Sequence, residues 1–197
     1  MKILLTLFFL LFSSSVLADD ISDFQIEGMS IGDSLLDYFS EEEINNGHTV
    51  YSSTSNIFFQ NSLHSAKYKV YDLLDFKLKN NDNNYIVYGI TGAIFFDKNF
   101  DNCLLKIIEI EKDISLIFSN AERIDHGTWE HPYDKSNKTK VTQWEFVLKG
   151  SNDSIVLTCL NWSKKITKEQ GWTDNLGISV WSKEYADWLR KNPTWFY

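Results

Sequence analysis

The fold this sequence predicts is a single α+β domain: a mainly antiparallel sheet with two or three packed helices. Three observations lead there. Short runs rich in Val, Ile, Tyr and Phe alternate with polar residues, as half-buried strands do. Two stretches, one around Leu35 and one from Asp101 to Phe118, space their apolar residues at helical period instead. The strands also follow one another in consecutive runs, which suits an antiparallel α+β domain rather than a doubly wound sheet.

Taken in order, Phe24-Gln25-Ile26 alternates and reads as a short strand, and Gly28 turns the chain. Ser30 with Asp33 has the capping-box spacing, and Ile31, Leu35, Tyr38 and Phe39 form the buried stripe of a first helix. Ser40 with Glu43 repeats the capping pattern for a further turn to Ile44, which Asn46-Gly47 ends. From Val50 to Phe96 the pattern is strand-like. The polar run Asn80–Asn84 separates Tyr68–Leu78 from Tyr85–Phe96, which predicts a hairpin with a longer loop.

Asp101–Phe118 places Cys103, Ile107, Ile110, Ile114 and Ile117 on one helical face, with Glu109 and Lys112 opposite. Three strands follow: Ile124–Glu130, Val141–Leu148 and Ile155–Trp162. In the second, Trp144, Phe146 and Leu148 alternate with Gln143, Glu145 and Val147. The third is apolar on both faces, as a central strand is. A last strand is expected at Ile178–Trp181, and a closing helix from Ser182 through Tyr185–Lys191, stopped before Pro193. Strand, turn and helix occur at Phe24–Ile44 and again at Tyr85–Phe118, a pattern that a duplicated unit would give and that common α+β alternation gives without one.

Residues 1–18 read as a cleavable export signal. Lys2 supplies the positive start, Ile3–Phe12 is apolar except for Thr6, and Val16-Leu17-Ala18 ends on small residues before Asp19. The expected cut lies between Ala18 and Asp19, leaving residues 19–197 as one domain of roughly 180 residues, periplasmic or secreted. A transmembrane anchor would need about 20 apolar residues, and no later segment is apolar enough to span a bilayer. The signal holds one Lys and no acid, so its loss takes the formal charge from −8 to −9. That balance argues against nucleic acid and anionic lipid as partners.

Cys103 and Cys159 are both in the exported part, where an oxidising compartment favours a disulfide between them. The bond would close a loop of about 55 residues and contribute about 4 kcal/mol on the chain-entropy account. Two separate buried thiols are the alternative.

Catalytic, cofactor-binding and metal-ligating motifs are not found. There is no Gly-x-Ser-x-Gly elbow and no phosphate-binding glycine loop. The densest polar cluster is Asp125–Asp134, with His126 and His131 among its carboxylates. A zinc site or a His–Asp acid–base pair is the sharp reading. Positions five apart on a strand face opposite ways, however, which favours a solvated hairpin end. Trp162, Trp172, Trp181, Trp188 and Trp195 crowd the last third. Spacing assigns Trp162, Trp181 and Trp188 to the core, and Trp195-Phe196-Tyr197 is harder to bury. The expectation is a non-enzymatic domain that binds an envelope protein or a small ligand. The alternative is a periplasmic hydrolase or metal-dependent enzyme using the His126/His131 region.

The stretch Gly28–Ile44, GMSIGDSLLDYFSEEEI, resembles an N-terminal signature of a family of small exported proteins from AT-rich marine alphaproteobacteria. Ala93-Ile94-Phe95-Phe96 leading into Asn102-Cys103, and Cys159 before Asn161-Trp162-Ser163, are similar to later blocks of that group. The resemblance covers most of residues 19–197. It implies a two-cysteine α+β layout and a periplasmic home, and no activity. Gly28-Met29-Ser30 also resembles the start of small outer-membrane assembly lipoproteins, but Asp19 stands where their lipid-bearing cysteine would be.

Overall fold

Among the described residues, eight strands form one sheet in which every neighbouring pair is antiparallel. The computed structural model describes residues 21, 24–51, 57–96 and 100–192. The expected signal at 1–18, Pro193 and the terminal Trp195-Phe196-Tyr197 lie outside these described residues.

The strands are β1 (His48–Tyr51), β2 (Phe58–Leu63), β3 (Leu73–Lys79), β4 (Gly89–Phe95), β5 (Glu122–Glu130), β6 (Lys140–Val147), β7 (Ser154–Asn161) and β8 (Asn175–Trp181). The helices are α1 (Glu41–Asn45), α2 (Phe100–Ile117), α3 (Lys164–Gln170) and α4 (Lys183–Lys191). Across the sheet the order is β1-β2-β3-β4-β8-β7-β6-β5, so two four-stranded meanders meet at β4 and β8. One helix precedes each meander, α1 the first and α2 the second. The α+β expectation holds in its coarse form. The sheet dominates, and α1 and α3 are only 5 and 7 residues long.

Alternation along each strand creates two faces. On the first, Phe76, Ile90, Val180, Ile155 and Phe146 are successive register partners across five strands. All five are at most 1% exposed. Each such side chain contributes about 1.5–3 kcal/mol by leaving water. Against this face α2 buries Cys103, Ile107, Ile110 and Ile114, the stripe its spacing predicts. The segment before β1 covers the other half through Ile26, Met29, Leu35 and Ile44.

That segment departs from expectation. No helix runs from Ser30 to Phe39; one 3-10 turn, Leu35–Asp37, stands there, capped by Ser34 instead of Ser30. The reason is competition for backbone groups. Gly32 N–H donates to the Val87 carbonyl, Val87 N–H to Asp33 and Leu35 N–H to Tyr85, so the chain lies strand-like beside the Tyr85–Val87 stretch. Gly32 has φ +91°, which interrupts any helix at that point. Asp33 still accepts the Ser30 N–H at 2.8 Å, half of the expected box. Phe24–Ile26 is likewise no strand. Ile26 bridges Met29 around Glu27 (φ 53°) and Gly28 (φ 83°), a tight turn with both central residues left-handed.

The predicted box at Ser40 and Glu43 is complete and opens α1. The expected hairpin is β3–β4, with shorter strands than the pattern suggested. The last strand begins at Asn175, three residues earlier than expected. Helix α3 has no counterpart in the sequence reading.

On the second face, Ser62, Asp75, Thr91, Ser179, Val156 and Glu145 are successive register partners. Helix α4 packs here: Tyr185 and Trp188 close over Phe58, with Tyr88 and Trp181 at the rim.

Candidate functional site

In an antiparallel meander alternate connections fall at the same end of the sheet. The β5–β6 loop (131–139) and the β7–β8 connection (162–174) therefore emerge side by side. These two connections carry His131, Tyr133, Asp134, Trp162 and Trp172.

The β5–β6 loop is held by Asp134, which is 1% exposed. Its carboxylate accepts from Ser136 N–H at 2.9 Å and Ser136 Oγ at 2.6 Å. It also accepts from Thr139 N–H at 3.0 Å and Thr139 Oγ1 at 2.9 Å. The Ser136 hydroxyl, with these further donors, holds the Asp134 carboxyl well below the usual carboxylate range. Thr139 Oγ1 in turn accepts the Ser163 N–H at 3.0 Å and fixes the loop to the start of α3. Ser163 caps α3, and Gly171, at φ 72°, ends it in the left-handed conformation.

Four rings meet across these connections. His131 lies 4.9 Å from Trp162, Trp162 lies 4.7 Å from Trp172, and Trp172 lies 4.8 Å from Tyr133, centroid to centroid. The centroid separations lie within the roughly 4.5–7 Å that aromatic pairs favour, and neighbouring planes are tilted by 45–53°. Tyr133 N–H donates to His131 Nδ1 at 3.2 Å, which closes the group through the loop backbone. Burial depresses the His131 pKa, only partly offset by Asp134. Trp172 is the open member at 38% exposure. The assignment of Trp162 to the core is corrected in part: it lies just past the end of β7, half-buried among these rings. Trp181 is half-buried and Trp188 buried, both in the contact beneath α4.

His126 and His131 are not brought to a common centre. The β5–β6 register shifts between Asp125 and Gly127, and His126 is the extra residue of this bulge. Gly127 supplies φ 67°, and its N–H donates to Asp125 Oδ1 at 2.8 Å. The bulge overturns the simple alternation argument, because it resets which face later residues take. Even so, the two rings find different partners. His126 Nε2 lies 3.1 Å from Glu145 Oε2 on the second face, whereas His131 packs on Trp162.

Glu145 also accepts from Ser154 Oγ at 2.7 Å and from Arg190 Nη2 at 2.8 Å. Sequence alternation marked Glu145 as an outward residue and missed this junction. Among the described residues no group of three or more His, Cys, Asp and Glu is arranged to hold a metal ion. Two surface pockets, of about 780 and 310 Å³, lie elsewhere, beside α4 and beside the Asn80–Asn83 loop.

The expected cysteine pair is joined. Cys103 in the first turn of α2 and Cys159 in β7 form a disulfide with their Cα atoms 6.1 Å apart. A helix resting on a sheet usually keeps a wider spacing of about 10 Å. The bond sits where the helix begins, at the position able to approach most closely. The disulfide is compatible with a periplasmic or extracellular protein, and among the described residues no helix is long and apolar enough to cross a membrane. Comparison of the chain with protein-family models, with curated proteins and with solved structures returns no match.

Proposed function

We propose that the chain is exported, with residues 1–18 as a signal cut between Ala18 and Asp19, and acts as a non-enzymatic binding domain in the periplasm or outside the cell. The observation that carries the reading is the ring cluster of His131, Trp162, Trp172 and Tyr133. A rigid loop and a capped helix position it at one end of the sheet, with the Trp172 face open to solvent. Aromatic faces held in place by a scaffold bind apolar surfaces at little cost in side-chain entropy. The partner is an envelope protein or a small ligand that presents such a surface. Immobilised protein should retain a component of envelope extract that Trp172→Ala and Tyr133→Ala each lose. Equal retention by wild type and both variants would remove this surface from the reading.

One observation serves the alternative, a periplasmic hydrolase or metal-dependent enzyme built on His126/His131. His126 Nε2 is held by the carboxylate of Glu145, as a general base often is. The nearby hydroxyl, Ser154, is buried and donates to Glu145 instead of the imidazole. Stoichiometric zinc, or hydrolysis in an unbiased screen, that disappears on substituting His126 would favour this alternative.

A further inference from the structure

The binding surface has a second property, independent of its rings. The two connections, 131–139 and 162–174, hold five lysines and three carboxylates, in a chain whose net charge is −8. At the chain's mean density of 19 basic residues in 197, stretches of this length would hold about two. Of the three carboxylates, Asp134 is turned into the loop and fully engaged by its donors, and Asp174 accepts the Trp162 N–H at 2.7 Å. Lys140 pairs with Glu130 at 2.9 Å, and Lys135 Nζ donates to the Pro132 carbonyl at 3.0 Å. Lys138, Lys164, Lys165 and Lys168 are exposed, and none makes a salt bridge among the described residues. An acidic protein has thus gathered cations without salt bridges on the β5–β6 loop and on the helix that lies between Trp162 and Trp172 in the chain.

We infer that this surface binds an anionic saccharide, one sugar ring stacking on Trp172 and its acidic substituents meeting the α3 and β5–β6 lysines. The inference rests on the binding reading above and names its ligand class. A pyranose offers an apolar C–H face to a single indole and places charged groups at its edge, which matches one open ring on a connection that also carries several exposed lysines. Single-stranded nucleic acid fits less well. It needs successive open platforms along a cationic track, whereas three of these four rings are half-buried and mutually tilted. A long polyanion is also repelled by the rest of so acidic a chain.

The test titrates the intact exported chain with galacturonic acid trimer, following tryptophan fluorescence and calorimetry. Maltotriose, a ten-residue oligothymidylate and phosphatidylglycerol vesicles are run in parallel. The acidic trimer should bind at least about tenfold more tightly than maltotriose and weaken as salt rises. Trp172→Ala, and separately the surface pair Lys164→Gln/Lys168→Gln, should each weaken it by about tenfold. Both lysines are exposed and make no salt bridge among the described residues, and an unchanged melting temperature of the pair variant separates lost binding from misfolding. Equal affinity for the neutral and acidic trimers, or tighter binding of the oligonucleotide or vesicles, would overturn the inference. If envelope extract still yields a component that depends on Trp172 but not on the two lysines, the saccharide class is wrong while the binding surface stands. If nothing depends on Trp172, the surface itself is wrong.

Discussion

Arg190 in α4 and Glu145 in β6 meet at 2.8 Å, joining the closing helix to the second face of the sheet. The Glu145 side chain is only 9% exposed and also engages Ser154 and His126. Burial pushes its carboxyl pKa up, but the Ser154, His126 and Arg190 interactions outweigh burial, and the net shift is downward. The folded pKa lies below the unfolded value. This contribution to stability is therefore complete above the unfolded carboxylate range, about pH 4.5, and is lost as pH falls through the folded value. Glu145→Gln should cost about 2 kcal/mol at pH 7 and flatten the loss of stability below pH about 4.5. Urea titrations at pH 7 and pH 3.5 measure both effects. An unchanged midpoint at pH 7 would show that α4 is held by Tyr185 and Trp188 alone.

Lys77 presents the opposite case. It is 3% exposed on the same face, its ammonium meets the Gln60 amide oxygen, and burial lowers its pKa to about 8 despite the nearby Asp75. The folded protein releases this proton before the unfolded chain does. Between pH 8 and about 10.5 the unfolded state binds more protons, so the Lys77 contribution to stability rises with pH. Lys77→Met keeps the stem and removes the charge. It should stabilise the protein by about 2 kcal/mol at pH 7, and the advantage should shrink by pH 9.5. A less stable variant at pH 7 would mean that the Gln60 contact compensates the buried ammonium.

Features set by short-range pattern were legible in the sequence, and features set by topology were not. The capping box at Ser40/Glu43 and the α2 stripe both follow from local spacing. The helix expected at Ser30–Phe39 failed because Val87 and Tyr85, about 50 residues away, take the backbone partners a helix would need. Helix α3 buries only Ile166, so periodicity could not reveal it, although Ser163 and Gly171 were there to mark its ends. The His126 bulge depends on a positive φ at Gly127 that strand alternation cannot express. The ring cluster joins residues from two separate connections, which meet only because antiparallel order brings those connections to one end. Tyr133 and Trp162 were in view as residues, but not as neighbours.

The Cys103–Cys159 bond closes a sequence separation of 56 residues. On the chain-entropy account it contributes about 4 kcal/mol. Reduction, or Cys103→Ser with Cys159→Ser, should lower the melting temperature by on the order of 10 °C. Non-reducing proteolysis should recover one cross-linked peptide pair containing these two residues. Two free thiols in protein taken from an oxidising compartment would remove the bond from the account of stability.

Export has its own readout. Mass spectrometry of the protein from its native host should find Asp19 at the N-terminus. An intact Met1 in the mature pool, or a lipidated terminus, would overturn the export proposal.

Glu27 ties the segment before β1 to the rest of the domain, and its substitution separates two physical effects. Its Oε1 accepts from the N–H groups of Lys69, Val70 and Tyr71 at 2.9, 2.7 and 3.3 Å, while its own backbone sits at φ 53°. The carboxylate neutralises three converging donors that would otherwise rely on water. The positive φ costs any non-glycine residue about 1 kcal/mol. Glu27→Ala keeps the backbone cost and loses the acceptor, so it should destabilise by about 2 kcal/mol. Glu27→Gly loses the same acceptor but relieves the strained φ, and should be the milder change by up to about 1 kcal/mol. Urea unfolding of both variants at pH 7 gives the comparison. If the two are equally destabilised, the left-handed turn carries no strain and the loss is all hydrogen bonding. If neither moves the midpoint, the carboxylate bonds are no better than those water would make to the 69–71 loop, and the segment is held by Ile26 and Met29 in the core.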